Sequence, residues 1–229
     1  MSQRLQHTQD MLARHHRNGE QFAQYMKDSF AGRFNEDFWT AWQQWIEPVL
    51  GRSPVILDLG TGPALFLRAL QQRYAGVRAI GVECMPYMIA AAGALPEGCE
   101  IIEADLHDPR LPLADGSVDA ALAAVVLHEL NQPLRALQEV ARCLRRGGRL
   151  CLFDWVRAPL AQYLTGEEVD VFAPSQTVES LEDIFTHFIE HNRFTRQDLE
   201  YLLTHSGFRV LDSQPLREGQ FARIFAERL

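Results

Sequence analysis

Three acidic side chains, Asp58, Glu83 and Asp105, stand at the ends of three successive predicted strands. The carboxyl ends of parallel strands meet at one edge of a sheet, so we expect these carboxylates to face a common crevice. Carboxylates accept hydrogen bonds and attract cations. We therefore expect Asp58 to hold an ammonium group, Glu83 to accept hydrogen bonds from both hydroxyls of a ribose, and Asp105 to accept the amine of an adenine.

A turn rich in glycine follows the first of these strands. It reads Gly60-Thr61-Gly62 and continues through Pro63 and Ala64 before an apolar helical pattern begins. Glycine lets the backbone approach a ligand closely and adopt dihedrals that other residues avoid. A dinucleotide needs three close-packed glycines and a helix N-terminus for its diphosphate. Pro63 and Ala64 after this turn, and Asp58 before it, disfavour the binding of a diphosphate. A nicotinamide oxidoreductase, which binds a dinucleotide, is therefore a disfavoured function.

Four less polar residues are expected to complete the same site: Cys84, Met88, Leu106 and Ala123. Sulfur is polarizable, so Cys84 and Met88 are expected to pack against the adenine, although core packing explains them equally well. The amide of Leu106 is expected to face a ring nitrogen, and Ala123 lies near the end of the fourth strand. S-adenosylmethionine combines an ammonium, a ribose and an adenine without phosphate, so it fits this set of residues.

Six short motifs follow one another along the chain: Asp58-Leu-Gly60-Thr-Gly62, Gly81-Val-Glu83, Ala104-Asp105-Leu106, Ser117-Val-Asp119, Val126-Leu-His128-Glu129 and Leu144-Arg-Arg-Gly147-Gly148-Arg-Leu150. Their order resembles class I S-adenosylmethionine-dependent methyltransferases, mainly the small-molecule branch, over residues 53–155 and more loosely over 194–210. The resemblance implies S-adenosylmethionine as cofactor. It also implies an α/β, Rossmann-like, doubly wound sheet of seven strands, mostly parallel with the last strand antiparallel. Ala64 departs from the family pattern, where many members carry a third glycine; alanine is the smallest replacement.

Methyl transfer from a sulfonium requires alignment of the acceptor, exclusion of water and, for some acceptors, removal of a proton. We expect this site just past the fourth strand, around residues 123–129. His128 is the histidine there that faces the cofactor, and an imidazole titrates near neutrality, so it is predicted to act as a general base. Packing or capping is its alternative role. Asp154 ends the fifth strand and is expected to orient His128 or to bind substrate.

Aromatic side chains outside the alternating centre are expected to form the acceptor site: Phe22, Tyr25, Phe30, Trp155 and Phe172. Residues 1–50 are predicted to be a helical lid, and residues 51–229 the methyltransferase domain, with a helical insertion at 155–195. Lids of this kind exclude solvent from a reaction. Ordinary helix packing explains most of these aromatic residues equally well.

The centre of the chain alternates between strand and helix patterns. Strands are predicted at 55–59, 78–82, 100–103, 119–124, 149–153, 208–212 and 221–227, and helices at 64–74, 87–94, 133–144, 178–191 and 195–205, with a turn at Gly147-Gly148. Such alternation implies right-handed βαβ units and a parallel sheet.

Acidic residues dominate the charge of the chain, whose formal net charge is −8. Residues 151–229 contain 7 basic and 13 acidic side chains, and Thr165–Asp183 contains six acids without a Lys or Arg. An acidic surface repels phosphate backbones, so nucleic acid is not an expected partner. We interpret Arg14-His15-His16-Arg17 as a solvated helix face. The acidic stretch is expected either to attract a cationic acceptor or to be solvated.

The remaining features argue for a cytoplasmic chain without a metal or a membrane anchor. The four cysteines show no paired spacing, which favours buried free thiols in a reducing compartment. No signal peptide pattern or apolar run long enough for a bilayer is present in this sequence. Neither Glu129 nor His107 has a second ligand at helix spacing, and His107 is interpreted as part of a solvated turn.

We therefore predict a cytoplasmic methyltransferase that uses S-adenosylmethionine and acts on a small molecule. Two alternatives stay open: methylation of RNA or protein, and a non-catalytic module that binds S-adenosylmethionine or S-adenosylhomocysteine. The absence of an Asn/Asp-Pro-Pro-Tyr/Phe element after the fourth strand disfavours methylation of a DNA base amine or of glutamine. The sequence leaves open the identity of the acceptor, the methylated atom and the oligomeric state.

Overall fold

A seven-stranded sheet organises the chain, which the computed structural model describes over residues 3–229. The strands lie in the order β3-β2-β1-β4-β5-β7-β6. Strands β1 to β5 pair in parallel, and β7 runs antiparallel to both β5 and β6. The predicted doubly wound sheet is confirmed. The strands are β1 (Val55–Leu59), β2 (Arg78–Glu83), β3 (Cys99–Glu103), β4 (Val118–Ala124), β5 (Leu144–Trp155), β6 (Phe208–Leu216) and β7 (Phe221–Arg228).

Helices cover both faces of the sheet. Successive strand residues point to opposite sides, so the strands bury apolar side chains under both layers of helices. Leu57 packs on one face with Leu137 and Leu203, and Ile56 packs on the other face with Trp42 and Leu67. The helices are α1 (Gln3–His16), α2 (Gly19–Asp28), α3 (Phe30–Arg33), α4 (Glu36–Trp45), α5 (Leu65–Arg73), α6 (Pro86–Ala92), α7 (Leu134–Cys143), α8 (Leu160–Gly166), α9 (Val178–His191) and α10 (Arg196–His205).

The N-terminal helices have two different packing environments. Trp42 of α4 is fully buried against the sheet, and its Nε1 donates a hydrogen bond to Tyr74 Oη at 2.9 Å. In contrast, Leu12 of α1 and Ala23 of α2 belong to a small separate cluster with Met88. The segment 1–50 therefore contains a part of the main core as well as two helices that cover the edge of the sheet.

Two strands are longer than the sequence predicts. Strand β5 starts at Leu144, and its pairing with β4 jumps from Leu144 to Arg149. The predicted Gly147-Gly148 turn is thus a bulge inside the strand, with Gly147 at φ 73°. Strand β6 continues through Pro215, which an edge strand tolerates because proline lacks an N–H donor and the open side of an edge strand needs none.

Capping residues fix the starts of α9 and α10. The Oγ1 of Thr195 accepts a hydrogen bond from the amide of Asp198 at 3.1 Å, and an Asp198 carboxylate oxygen accepts one from the amide of Thr195 at 2.7 Å. Thr177 and Ser180 form the same reciprocal arrangement at α9. These contacts satisfy backbone donors that a helix start leaves unpaired, and side chains of α9 line the site described below.

The cysteines of the described chain are free thiols. Cys84, Cys143 and Cys151 are buried, and Cys99 is half-buried. Within residues 3–229, none of the helices combines the length and the apolar character that crossing a bilayer requires.

Truncation of Trp42 should test the structural role of α4. We expect Trp42→Ala to lower the free energy of unfolding by about 3–5 kcal/mol, the cost of a cavity left by a large buried side chain. The control is Phe172→Ala, because Phe172 is 91% exposed and its loss should change stability by less than about 0.5 kcal/mol. Urea unfolding measures both; equal effects of the two substitutions would contradict the core assignment.

Candidate active site

Two adjoining pockets open at the carboxyl edge of the sheet. Asp58 and Thr61 line one of them, and Gly60 lines both, so the pockets meet at the glycine turn. Ala123 is fully buried inside β4, and Val125 and Val126 take its expected place in the wall. The second pocket, called here the cleft, is lined by predicted cofactor residues: Gly60, Gly62, Glu83, Cys84, Met88, Asp105 and Leu106.

Asp58 is buried at the end of β1, on the floor of the first pocket. Thr61 Oγ1 donates a hydrogen bond to its Oδ2 at 2.6 Å. Burial raises the pKa of Asp58 to about 7, against the hydrogen bond from Thr61, which lowers it. Arg33 lines the same pocket, and its buried Nε has no hydrogen-bond partner within residues 3–229. A carboxylate and a guanidinium thus stand in one pocket, which the sequence did not predict.

Glu83 holds the loops around it in place. Its Oε2 accepts a hydrogen bond from the amide of Gly62 at 2.9 Å, and its Oε1 accepts bonds from the amides of Cys84 and Met85 at 2.8 and 2.9 Å. Burial raises the pKa of Glu83, while these three amides oppose the rise. The carboxylate therefore fixes the glycine turn relative to the end of β2.

Asp105 connects the cleft to the N-terminal helix. Its Oδ1 accepts hydrogen bonds from the amide and the Nδ1 of His107, both at 2.9 Å, and its Oδ2 accepts one from Thr8 Oγ1 at 2.8 Å. Burial opposes ionisation, but these hydrogen bonds outweigh it and lower the pKa of Asp105. His107 is buried, so the prediction of a solvated turn was wrong at this residue. Gln9 Nε2 also donates to Cys84 O at 2.7 Å, so α1 crosses the cleft.

His128 and Asp154 form a buried pair after β4 and at the end of β5. The Nδ1 of His128 lies 2.6 Å from Asp154 Oδ1, and Asp154 Oδ2 accepts a hydrogen bond from the amide of Leu127, also at 2.6 Å. Burial opposes protonation of His128, but the charge of Asp154 outweighs it and raises the pKa of His128. The contact places the Asp154 carboxylate against the His128 ring, and the catalytic role of the pair stays a prediction.

The backbone is strained where β4 leads into this pair. Val125 has φ 56°, in the left-handed region that a β-branched residue rarely adopts. Its amide donates a hydrogen bond to Phe153 O at 2.7 Å, which keeps the strained residue attached to β5. The twist turns the following amides toward Asp154. Strain of this kind concentrates at functional sites.

A larger cavity of about 720 Å³ adjoins the cleft. Phe22, Tyr25 and Trp155 line it together with His128, and their role at an acceptor site stays a prediction. Phe30 lies instead in the pocket of Asp58. Phe172 is 91% exposed and belongs to neither wall, so its expected role was wrong: the insertion presents α9 to the cavity and turns this loop outward.

Histidines that the sequence analysis missed line the same cavity: His15, His16, His187 and His191. His16 is buried and its Nε2 lies 3.1 Å from Glu129 Oε1, so the interpretation as a solvated helix face was wrong for His16, whereas Arg14 and Arg17 are exposed. Burial, together with the charges of neighbouring histidines, lowers the pKa of His187 to about 4 and the pKa of His191 to about 2. His187 and His191 are four residues apart in α9, and this spacing was the signal in the sequence that both side chains lie on the same face of the helix.

Comparison with protein families identifies the central segment. Residues 57–152 match the family described as "Methyltransferase domain". An uncharacterized methyltransferase from Mycobacteroides abscessus is 36% identical over 141 residues, which are 56% of this chain and 51% of that protein. One from Mycobacterium tuberculosis is 38% identical over 122 residues, 49% of this chain and 47% of that protein. The chain thus spans about half the length of these curated relatives.

Comparison with solved structures identifies the fold. An S-adenosylmethionine-dependent methyltransferase from Mesorhizobium loti has a TM-score of 0.61 and 20% identity, covering 83% of this chain and 97% of the other. A second one, from Aquifex aeolicus, has a TM-score of 0.58 and 18% identity, covering 82% and 93%. A chain from the complex of the Haloferax volcanii Trm112 methyltransferase activator with a methyltransferase has a TM-score of 0.68 and 18% identity, covering 92% and 97%.

Substitution of Gly60 should test how tightly the turn is built. A Cβ at Gly60 would lie 2.5 Å from Val126 Cγ2, and its φ of 64° is strained for alanine. We expect Gly60→Ala to lower the free energy of unfolding by about 1–3 kcal/mol. Gly51→Ala is the matched control, because a Cβ there meets nothing within 4 Å. Thermal and urea unfolding measure both, and an unchanged Gly60→Ala variant would show that the turn has room to relax.

Proposed function

We propose that this chain, which carries a class I S-adenosylmethionine-dependent methyltransferase domain, transfers the methyl group of S-adenosylmethionine to a small-molecule acceptor. One observation supports the proposal above all: the cleft and the larger cavity share walls. Val125, Glu129 and Phe22 line both of them. A cofactor in the cleft would therefore present its methyl group to an acceptor beside His128.

The charged residues suit the parts of the cofactor. Asp58 would hold the ammonium of the methionine moiety, and Arg33 in the same pocket would hold its carboxylate. Glu83 has about four acceptor positions, of which the amides use three, so it can still accept a ribose hydroxyl. Asp105 would accept the adenine amine, and Cys84, Met88 and Leu106 line the cleft where the base would pack.

The proposed reaction is a direct displacement at the methyl carbon. A lone pair of the acceptor forms the new bond while the carbon–sulfur bond breaks, and its electron pair stays on sulfur as S-adenosylhomocysteine forms. In this proposal, the acceptor's proton passes to His128, whose Nδ1 is already held by Asp154 at 2.6 Å. The carboxylate favours the imidazolium that results.

The shape of the acceptor site favours a small molecule. Its volume of about 720 Å³ lies in the range of roughly 300–1,000 Å³ that is usual for small-ligand pockets. Side chains from α1, α2 and α9 enclose it, and the acidic stretch before and within α9 repels phosphate backbones. Both features weigh against methylation of RNA. The proposal includes α1, α2 and the 155–195 insertion as a lid. It also includes a cytoplasmic location, which the free thiols support.

Removal of the His128 imidazole should test the acceptor side. We expect His128→Ala to lower turnover about 100-fold or more, the usual contribution of a general base, with little change in cofactor affinity. The assay follows labelled methyl from S-adenosylmethionine into the low-mass fraction of a cell extract, and His205→Ala on the exposed face of α10 is the control. Label in RNA or protein would contradict a small-molecule acceptor, and absence of any transfer would favour a non-catalytic binding module.

The raised pKa of Asp58 should make cofactor binding depend on pH. Only the ionised carboxylate attracts the ammonium, and its pKa is about 7 in the free protein. Affinity for S-adenosylmethionine should therefore fall about tenfold from pH ~8 to pH ~6, and binding near neutrality should release a proton. Asp58→Asn should bind more weakly and lose this pH dependence. Calorimetric titration with S-adenosylmethionine measures the affinity at each pH, and its repetition in a second buffer measures the proton release. NAD is a control ligand that should not bind. An affinity that does not change with pH would contradict the role of Asp58.

A further inference from the structure

Three histidines from separate segments meet at the wall of the acceptor cavity. They are His15 at the end of α1, His128 after β4 and His191 at the end of α9. One ring nitrogen from each lies within 4.8 Å of the other two. We propose that these histidines bind one divalent transition-metal ion, of the class that Zn²⁺ represents. Imidazole is a preferred ligand of such ions.

Two of the imidazoles already make the carboxylate contact that is usual for a metal-binding histidine. The Nδ1 of His128 lies 2.6 Å from Asp154 Oδ1, and the Nδ1 of His15 lies 2.5 Å from Glu190 Oε2. A histidine that binds a metal almost always donates its other ring N–H to a carboxylate or carbonyl, which fixes the ring orientation. Both rings therefore have the Nε2 available for an ion.

The third imidazole, that of His191, is buried without a well-formed hydrogen bond to its Nδ1 in the described part of the chain. His191 is 7% exposed, and its Nδ1 makes no hydrogen bond of standard geometry within residues 3–229, although the backbone of His187 lies close to the ring. Buried polar atoms without partners are rare because they lose their hydration without compensation. The ring of His191 lies 5.0 Å from that of His128 and 5.8 Å from that of His15, centroid to centroid. A shared ion would satisfy it.

A neighbouring set of ligands is less suitable. His15, His16 and Glu129 also approach one another within 4.8 Å. However, both nitrogens of His16 are already engaged, Nδ1 with the hydroxyl of Tyr87 and Nε2 with Glu129 at 3.1 Å. Glu129 is better placed to add negative charge beside the ion, as Asp154 and Glu190 do from behind the rings.

The geometry requires only a small movement of the side chains. Zn–N distances of about 2.0–2.1 Å in a tetrahedral site place the nitrogens about 3.3 Å apart. Ligand atoms that now lie within 4.8 Å must therefore draw together by no more than about 1.5 Å. Three protein ligands leave one position open, as in catalytic zinc sites. That position would face the cavity, because His15, His128 and His191 all line it.

The ion would define the class of acceptor, and this step rests on the proposed methyl transfer. An acceptor with a hydroxyl or another oxygen or nitrogen donor would coordinate at the open position. The ion would lower the pKa of that group, so that its proton leaves to solvent before the displacement. In the metal-loaded protein His128 is then a ligand, and the ion replaces it as the group that activates the acceptor.

The test is metal binding by the untagged chain, measured without cofactor. Calorimetry with Zn²⁺ should show one site, and Co²⁺ in its place should give the visible absorption of a nitrogen-ligated, four-coordinate ion. His15→Ala and His191→Ala should each lose this binding. Asp154→Asn and Glu190→Gln should weaken Zn²⁺ binding roughly 10- to 100-fold. His7→Ala and His205→Ala, which alter exposed histidines, should bind like the parent chain.

Circular dichroism and titration with S-adenosylmethionine accompany each variant, so that a folded chain without metal binding is recognised. A parent chain that binds neither ion would overturn the site. Unchanged binding by the folded His15→Ala and His191→Ala variants would also overturn it, because the ion would then lie elsewhere. Cofactor binding is measured separately, so loss of the metal site leaves the proposed methyl transfer testable in its own right.

Discussion

Burial of acidic groups at the carboxyl edge of the sheet is the constraint on which the rest of the site depends. An ionised carboxylate taken out of water without partners is costly, so each one must collect donors from the loops that follow the strands. Glu83 collects three backbone amides, and Asp154 collects the amide of Leu127 and the imidazole of His128. The acids therefore shape the loops before any ligand is present.

This constraint explains which parts of the site the sequence could predict. A residue at the end of a strand is placed by local pattern, and parallel pairing then brings Asp58, Glu83 and Asp105 to one edge whatever the loops do. The proximity of His128 and Asp154 followed in the same way, because β4 and β5 are neighbours. Ala123 was misplaced because the exposed wall begins only after the strand ends, where Val125 leaves the extended conformation.

The same reasoning could not predict contacts between segments that are distant in the sequence. His15, His128 and His191 converge only because α1 and α9 both pack over the loop after β4, and no pattern in the sequence measures that packing. The segment that contains His15 and His16 has the composition of a solvated helix end. The burial of His16 depends on Tyr87 and Glu129, which contact its ring from elsewhere in the chain. The pocket of Arg33 and Asp58 is another product of tertiary packing.

Helix α1 connects the two halves of the site physically. Near its middle Thr8 bonds to Asp105 in the cleft, and at its end His15 bonds to Glu190 of α9 beside the cavity. Any ligand that takes the place of Thr8 on Asp105 removes one of the bonds that keep α1 over the cavity. The same helix thus contributes side chains to the wall of the cleft and to the wall of the larger cavity.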